Sequence, residues 1–340
     1  MNSHTRLVGW PSRSDAQQID LEFSVSVGLR VAKANLRYLS GRSGWMNSQN
    51  QAVAKQTHTL GISLCLGSMF IFAVQDSITK VLVQDMAVAQ FVMVRYWVFA
   101  LFAVGWVAWR GGVRRALYTQ KPGLQIARSL LSVAEIAIFN LSLRYLGLAE
   151  AHALLAVFPL IAIALASPML GEKVGLRRWM AVAAGFAGTL IILRPGLEVF
   201  KPEAFIALSA AVCFAFYNLI TRFVSAAGDS FNTNMLYMAL VGCISATLFG
   251  IPEWREPSLD EWLMMAVLSV TGIFGHLLLV KALEYAPASV LQPFNYSLLV
   301  FATVFGVLLF AEIPDLPTLI GSAIITGSGL YVIMQGQNGR

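Results

Sequence analysis

The chain of 340 residues is 57% hydrophobic and only 12% charged, whereas soluble domains carry about 25% charged residues. This composition leaves too little polar surface to cover a globule in water, so we expect the lipid bilayer to be the solvent that organises the fold. The net charge of +6 does not indicate a nucleic-acid partner, because the basic residues concentrate in particular short loops, as the positive-inside rule requires.

The first 57 residues are polar and lack the uninterrupted apolar core of about 7–15 residues that a signal peptide needs, so we predict a disordered cytoplasmic tail at 1–57. Apolar segments of about 20 residues then follow almost without pause, and each matches one membrane crossing. Charged and Pro- or Gly-bearing breaks therefore predict an all-α integral membrane protein with ten transmembrane helices, at 59–80, 87–109, 124–143, 148–169, 178–194, 203–224, 233–251, 259–283, 287–310 and 316–335.

Loop charges predict the orientation of these helices. If the N-terminus lies inside, 17 Lys and Arg residues fall on the inner side and five on the outer side, while Arg95 and Arg128 lie within spans. Because the bias of Lys and Arg sets orientation, we predict a multi-pass protein of the cell inner (plasma) membrane with both termini in the cytoplasm.

Two stretches of the chain recur at nearly equal offsets. The sequence FAxxDxITK at 72–80 returns as FAxxNxITR at 214–222, and the segment 143–172 returns as 283–312. These matches predict two five-helix repeats, at 58–196 and 203–336. An odd number of spans per repeat inverts the second one across the membrane. Loop charge agrees, because the segment from Glu172 is basic while its counterpart from Glu312 has no Lys or Arg.

This pattern resembles the drug/metabolite transporter superfamily, and within it the EamA family of ten-helix carriers with two five-helix repeats. The resemblance covers residues 58–336. It rests on the FAxxDxITK-like opening of each half and on a Pro-bearing span that ends in Gly-Glu or Ala-Glu and precedes a Gly-rich helix. The resemblance implies an inverted-repeat bundle with a central substrate cavity and alternating access. These motifs identify a family and not a substrate.

Ionisable residues inside the spans are candidates for a functional site, because each costs about 2.5–3.5 kcal/mol in the membrane unless it finds a partner or water. Arg95 and Glu135 both lie near the predicted midplane. They form either a substrate or proton site or a structural ion pair between two helices. The spacing of four residues on the third span places them on one face of the helix, and we expect this face to turn away from lipid. They are Arg128, Ser132, Glu135 and Phe139.

The fourth and ninth spans carry His152 and Gln292 at the same repeat position, since 152 plus 140 is 292. The resembled family lines its cavity with the corresponding spans, which implies substrate contacts for both residues; otherwise each bonds a neighbouring carbonyl. Asn295 and Tyr296 are candidate hydrogen-bonding partners of a polar ligand. His276 in the eighth span either relays protons or binds substrate through its titratable imidazole, or serves as a packing residue.

Other residues of the spans have predicted structural roles. Asp76 and Asn218 are repeat-equivalent and near opposite membrane faces, so they are interpreted as helix caps or gating residues. Pro159 and Pro293 are expected to kink or loosen their spans. Small residues four apart predict close helix packing, at Ala181/Gly185, Ala184/Gly188 and Ala323/Gly327.

Metal, cofactor and enzyme signatures are missing from the sequence. Cys65, Cys213 and Cys243 lie inside apolar segments without CxxC spacing, and the chain has no HExxH, GxxxxGK[ST] or GxSxG sequence. We therefore expect a gradient-driven carrier with no cofactor and no catalytic residue. Coupling to a proton or ion and assembly as a homodimer are open alternatives.

Riboflavin uptake is the first interpretation of the function, because the stretch from Leu291 to Tyr296 offers aromatic and amide groups suited to a flat, polar heterocycle. Export of amino acids or related metabolites, and transport of S-adenosylmethionine, are alternatives of the same class. An intramembrane enzyme acting on lipid and a non-transporting scaffold are alternatives from other classes. The repeat symmetry argues against the enzyme, and the intramembrane charges of Arg95 and Glu135 argue against the scaffold.

Overall fold

The structure, a computed structural model, describes residues 45–110, 112–170, 175–194, 202–286 and 288–338, and the side chains at 45–58, 166–170, 178, 226, 288–289, 292 and 335–338 lie outside this description. The chain divides into two units, Met1–Thr57 and His58–Arg340. Of the first unit only the backbone from residue 45 is described, and it is helical. The rest of the predicted cytoplasmic tail lies outside the described residues.

Helices make up nearly all of the described chain. They are α1 Trp45–Asp85, α2 Val88–Arg110, α3 Val113–Ala116, α4 Pro122–Ser142, α5 Leu148–Leu155, α6 Phe158–Leu170, α7 Leu176–Leu193, α8 Ala204–Ala226, α9 Phe231–Gly250, α10 Leu259–Tyr285, α11 Ala288–Asn295, α12 Ser297–Phe310 and α13 Leu316–Asn338. Within the described ranges, nine segments are long and apolar enough to cross a membrane, and Trp179–Leu193 in α7 is a shorter apolar helix. The prediction of an all-helical membrane protein with about ten spans is confirmed.

The first helix is longer than predicted. It begins at Trp45 rather than at 59 and ends at Asp85 rather than at 80, because no proline lies in this stretch to stop it. Asp76 therefore lies well inside the helix, and the expectation that it caps a helix end is wrong. Asn218 lies inside α8 in the same way, where its Nδ2 donates to the carbonyl of Phe214 at 2.7 Å.

The fourth and ninth spans are each split into two helices. The first break lies at Ala156 and Val157 and the second at Tyr296, and these positions are equivalent in the repeat because 156 plus 140 is 296. Backbone hydrogen bonds between residues three apart tighten the chain at both breaks. Pro159 and Pro293 lie within three residues of the breaks. Proline removes a backbone hydrogen-bond donor and crowds the preceding turn, which favours a break in the helix nearby. Their predicted loosening of the spans is confirmed.

Helices of the two halves pack in reciprocal pairs. Two helices of the first half contact their own repeat counterparts, α2 with α9 and α7 with α13, and the fourth span contacts the ninth through α5 and α12. α4 packs on α8, and the equivalent contact of α1 with α10 includes a hydrogen bond from Ser68 Oγ to the carbonyl of Gly275 at 2.7 Å. Reciprocal contacts of this kind are what a two-fold relation between equivalent units produces. The main apolar core therefore draws residues from both halves.

Glycines let α7 and α13 approach closely. A Cβ built on Gly188 would lie 2.9 Å from the carbonyl oxygen of Gly321, and one built on Gly321 would lie 2.6 Å from that of Gly188. Small residues permit such backbone approach in membrane helices, so the predicted packing role of Gly188 is confirmed. A Cβ on Gly327 would meet nothing within 4 Å, so the packing role predicted for that residue is wrong.

Gly321→Ala is expected to destabilise the protein by about 1–3 kcal/mol through overpacking, because the new methyl group meets the Gly188 carbonyl and, at 2.5 Å, the Ile192 side chain. Gly327→Ala in the same helix is the matched control, and it should be neutral or slightly stabilising since alanine favours the helix. Thermal unfolding of the purified protein in detergent measures both. Equal melting temperatures of the two variants would contradict the close contact.

Candidate functional site

The face of α4 predicted to turn away from lipid is buried. The exposed fractions are 1% for Arg128, 6% for Ser132, 9% for Glu135 and 6% for Phe139. Helical spacing therefore predicted this face correctly. Because charged side chains are costly in hydrocarbon, the face marks the part of the interior where polar groups of several helices meet.

Asp76 of α1 and His152 of α5 form a buried pair. His152 Nε2 lies 3.0 Å from Asp76 Oδ2. His152 is 4% exposed and Asp76 is 7% exposed. The distance is that of a hydrogen bond, but the angle at the ring nitrogen is poor, so we describe the contact as electrostatic. The ring of Phe139 covers the imidazole, with centroids 5.0 Å apart. His152 was a predicted site residue, whereas its partner was not anticipated.

Arg95 and Glu135 interact electrostatically, yet among the described ion pairs none joins them directly. The guanidinium of Arg95 turns instead toward α1 and α10. Its Nε and Nη2 lie 3.5 Å from the point that a Cβ on Gly272 would occupy, and Gln75 Oε1 lies 2.9 Å from the same point. The expected direct ion pair is therefore not formed among the described contacts, and the guanidinium lies beside Gly272 instead.

His276 lies at the same glycine. Its Nδ1 is 2.7 Å from the carbonyl oxygen of Gly272, and since a carbonyl only accepts, Nδ1 carries the proton and Nε2 is the acceptor of the neutral ring. The imidazole packs edge-on against Phe72 with centroids 4.8 Å apart. Arg95 is close enough to interact with it electrostatically. The structure thus brings two predicted site residues together around Gly272.

Buried polar atoms on four helices of the first half lack a well-formed hydrogen bond to any described residue. They are Gln75 Oε1, Tyr96 OH, Asn140 Nδ2 and His152 Nε2. Each such atom costs about 1–3 kcal/mol, and native proteins keep few of them. Tyr96 interacts electrostatically with both Arg95 and Glu135. We use the name central polar cluster for Gln75, Asp76, Arg95, Tyr96, Glu135, His152 and His276.

Aromatic rings lie beside the central polar cluster. Phe158 meets Phe214 edge-on with centroids 4.5 Å apart, and Phe214 stacks on Tyr217 at 5.8 Å with an angle of 7° between the ring planes. Cys213, next to Phe214 on α8, interacts electrostatically with Glu135. We call Phe158, Phe214 and Tyr217 the aromatic wall. It belongs to both halves, because α6 ends the fourth span and α8 opens the second half.

Two residues predicted on the ninth span, Asn295 and Tyr296, lie apart from the cluster. Asn295 Oδ1 accepts from Cys65 Sγ at 3.4 Å. The Tyr296 hydroxyl packs against Gly329 of α13, where any Cβ would collide with it, and it has no hydrogen bond to a described residue. The side chain of Gln292 lies outside the described part of the structure. Of the predicted site residues, the four that belong to other spans are therefore the ones brought together.

Arg128 links the two halves at one end of the bundle, which we call the Arg128 end. Its Nη2 donates to the carbonyl of Asn234 at 2.6 Å, and its Nε donates to Gln125 Oε1 at 3.1 Å. Gln125 donates in turn to Asp229 Oδ2 at 2.7 Å. The guanidinium also lies over the ring of Tyr217, 5.4 Å from the centroid. These contacts tie α4 to the connection between α8 and α9.

Lys80 links the halves at the opposite end, which we call the Lys80 end. Its Nζ lies 2.6 Å from Glu312 Oε1 and donates to the carbonyls of Leu143 and Leu146 at 3.2 and 2.6 Å. The other carboxylate oxygen of Glu312 accepts from the backbone N–H of Leu148 at 2.9 Å. The pair therefore fastens the connection between α4 and α5 to the start of the last span.

A cavity of about 450 Å³ opens at the Lys80 end. Its lining combines basic Lys80 and Arg144 with acidic Asp85 and Glu312, and includes the ring of Tyr145. The charges on its wall are therefore mixed, and it gives the ion pair contact with solvent.

The partnership of Lys80 with Glu312 was not predicted, because both residues look like ordinary loop charges. The repeat nevertheless contains a signal for it. Lys80 corresponds to Arg222 and Glu312 to Glu172, so a basic and an acidic residue recur at both positions. Opposite charges that recur at equivalent positions of both halves can therefore indicate ion pairs between the halves.

The division of the bundle into two similar halves agrees with a comparison against known families. The model of the EamA-like transporter family matches residues 59–194 and 201–334, which is most of the chain. The chain belongs to the EamA-like transporter family. This membership confirms the resemblance noted in the sequence, makes the protein a small-molecule transporter and removes the enzyme interpretation.

Characterised relatives of this EamA-like transporter carry different molecules. The S-adenosylmethionine uptake transporter of Rickettsia bellii is 27% identical over 281 residues, which are 82% of this chain and 95% of that protein. The riboflavin transporter of Vibrio cholerae is 31% identical over 223 residues, 65% of this chain and 74% of that protein. The pseudopaline exporter CntI of Pseudomonas aeruginosa is 23% identical over 271 residues, 78% of this chain and 93% of that protein.

One crystal structure of a protein with 17% sequence identity superposes on this EamA-like transporter with a TM-score of 0.53. The superposition covers 84% of this chain and 98% of the other. At this identity the likeness supports the fold alone.

Glu312→Ala is expected to destabilise this EamA-like transporter by about 2–3 kcal/mol, because it leaves the Lys80 ammonium and the Leu148 N–H without their partner. Glu284→Ala is the matched control. Glu284 pairs with Lys281 at 2.5 Å, but both side chains are more than half exposed, so its loss should cost less than about 0.5 kcal/mol. Thermal unfolding in detergent compares them, and equal losses would contradict the role of the Lys80 end.

Proposed function

We propose that this EamA-like transporter takes up a small organic metabolite across the inner membrane by alternating access, and that riboflavin is its first candidate substrate. The observation that carries the proposal is the aromatic wall beside the central polar cluster, inside the membrane. A flat heterocycle stacks on aromatic rings, while its polar edges need hydrogen-bonding groups that an otherwise apolar bundle does not offer. Riboflavin combines a flat ring system with polar edges.

In this proposal four predicted residues contact the substrate. Arg95 donates to its polar edge, and His276 accepts through Nε2, which is the acceptor of the ring because Nδ1 faces the carbonyl of Gly272. Glu135 and His152 contact it from α4 and α5. The substrate would thereby satisfy groups that have no well-formed hydrogen bond to a described residue in this conformation, such as His152 Nε2.

Transport requires that the two ends of the bundle open in turn. Lys80 with Glu312 links the halves at one end, and Arg128 with Asn234 links them at the other. Breaking one set while the other holds would expose the central polar cluster to one side only. From the loop charges we propose that both termini are cytoplasmic, so that the Lys80 end faces outward and the Arg128 end faces the cytoplasm.

The ninth span supplies the remaining proposed contacts, from Gln292, Asn295 and Tyr296. Support comes from the break at Tyr296, which is equivalent to the break next to the cluster in the fourth span. Broken membrane helices occur where the backbone lines a cavity or is buried in protein. In an inverted repeat, the second break approaches the substrate in the conformation in which the halves have exchanged roles.

S-adenosylmethionine is the second candidate substrate. The cluster holds two buried carboxylates, Asp76 and Glu135, at 7% and 9% exposure, but among its members only the arginine is permanently cationic. A substrate with sulfonium and ammonium groups would balance the surplus negative charge that arises when both carboxyl groups are ionised. The relative in Rickettsia bellii that is named for uptake of this molecule adds support.

A ligand scan of the purified protein separates these candidates. Riboflavin at 100 times its dissociation constant should stabilise the folded protein by about 2.7 kcal/mol, seen as a higher melting temperature, and proteoliposomes should accumulate it. Stabilisation by S-adenosylmethionine alone would make that molecule the substrate. If neither ligand raises the melting temperature and neither is taken up, the proposed substrate class is wrong.

Gly272→Ala tests the place of the substrate. Its Cβ would lie 2.9 Å from Gln75 Oε1, so the Gln75 amide must shift, and the new methyl group would fill the space beside the Arg95 guanidinium. Riboflavin should therefore bind at least about tenfold more weakly, a loss of about 1.4 kcal/mol. Gly105→Ala on α2 is the control, because a Cβ there meets nothing within 4 Å. Titration of the melting temperature with riboflavin gives both affinities. An unchanged affinity in a folded Gly272→Ala protein would remove this site from the proposal.

A further inference from the structure

Asp76 and His152 occupy positions whose repeat equivalents have a different chemistry. Adding 142 to 76 and 140 to 152 gives Asn218 and Gln292. The first half thus has a carboxylate and an imidazole where the second half has two amides. Amides donate and accept hydrogen bonds but do not take up protons near neutral pH, whereas an imidazole does.

We propose that Asp76 and His152 form one proton-binding site that couples transport to proton movement, and that this site exists in the first half only. The proposal rests on the transport function above and adds the driving ion to it. On protonation a new N–H bond forms at His152 Nε2, which lies 3.0 Å from Asp76 Oδ2. The pair then changes from a net charge of −1 to a neutral imidazolium–carboxylate pair, and release of the proton reverses this.

Because Asp76 and His152 are buried, a proton on the pair can change which conformation is favoured. Both side chains are almost fully buried, and apart from this ion pair neither side chain has a hydrogen bond or ion pair with a described residue. An unneutralised carboxylate is costly inside a membrane, so the deprotonated pair favours a conformation that admits water or a cation. The protonated pair tolerates a closed interior. A proton that favours one of two conformations shifts their populations, which is the requirement for coupling.

A second carboxyl group lies close to the pair. Glu135 of α4 interacts electrostatically with Asp76, and when Glu135 is ionised a proton on the pair relieves the repulsion between the two carboxylates. Arg95 partly offsets the charge of Glu135. The helices around α1 and α5 carry further titratable or charged groups, and α12 has none. They are Tyr96 and Arg110 on α2, Arg128 on α4, Arg177, Arg178 and Arg194 in or next to α7, Cys213, Tyr217 and Arg222 on α8, Asp260, Glu261, His276, Lys281, Glu284 and Tyr285 on α10, and Tyr331 on α13.

The amide pair of the second half separates a structural role from a proton-binding role. The second half has the amides of Asn218 and Gln292 at the equivalent positions. A contact that only held α1 and α5 together could therefore be made by two amides, without any group that binds a proton. The double variant Asp76→Asn/His152→Gln gives the first half the chemistry of the second. It keeps polar groups of similar size, so the protein should remain folded, as a single size-exclusion peak would verify.

Proton uptake of the purified protein is the first test, and it needs no substrate. Potentiometric titration between about pH 8.5 and pH 5, the range in which imidazoles titrate, should show one proton more per wild-type molecule than per double variant. The variant Asp260→Asn, at an exposed carboxylate on α10, should match the wild type. Equal proton uptake by wild type and double variant would overturn the proposal. His152→Gln alone gives the same comparison if the double variant does not fold, because it removes the imidazole that takes up the proton.

Coupling is the second test. In proteoliposomes with riboflavin as the probe, an imposed proton gradient should raise wild-type uptake several-fold, while the ratio of uptake with and without the gradient should fall to about one in the double variant. Asp260→Asn should keep the wild-type ratio. An unchanged ratio in the double variant would refute coupling through this site. If wild type carries neither riboflavin nor S-adenosylmethionine, the substrate proposal fails while the proton titration still decides the binding site.

Discussion

The cost of a polar group in hydrocarbon governs how this protein is arranged. Without water, a charged side chain in a span must find a partner or share a polar region with others. Arg128 meets that requirement through the carbonyl of Asn234, and Lys80 through Glu312. Arg95 and Glu135, for which the described residues offer no such fixed partner, gather in the central polar cluster. The positions of the buried charges therefore decide where the two halves touch and where they enclose a site.

The repeat preserves backbone geometry more closely than side-chain chemistry. The breaks in the fourth and ninth spans fall at equivalent positions, and helices of one half pack on their counterparts in the other. Packing and helix breaks are set by glycine, proline and apolar volume, which both halves retain. Asp76 and His152 differ from Asn218 and Gln292. Function in an inverted repeat can thus be concentrated in one half while the fold remains two-fold.

The sequence predicted the fold because hydropathy and helical spacing are local signals. The predicted ends of helices were wrong where the sequence has no residue that stops a helix. The first helix, for example, continues to Asp85, beyond its predicted end at 80. The site was predictable in part: intramembrane charge identified Arg95 and Glu135, but the direction of a long side chain depends on space elsewhere, here at Gly272. Lys80 and Glu312 are 232 positions apart, so their contact is not visible in any local pattern. The break at Tyr296 similarly leaves its hydroxyl at α13, away from the cluster.

The two ends of the bundle are linked by unlike interactions, and this bears on alternating access. At the Lys80 end the carboxylate of the ion pair is 28% exposed, so water and salt compete for it. At the Arg128 end a guanidinium that is 1% exposed binds a main-chain carbonyl, which cannot be screened in the same way. Opening the two ends therefore breaks different kinds of contact and need not cost the same free energy. In the proposed alternating access, two unlike closures would give the carrier a preferred resting side, which a bound substrate must overcome.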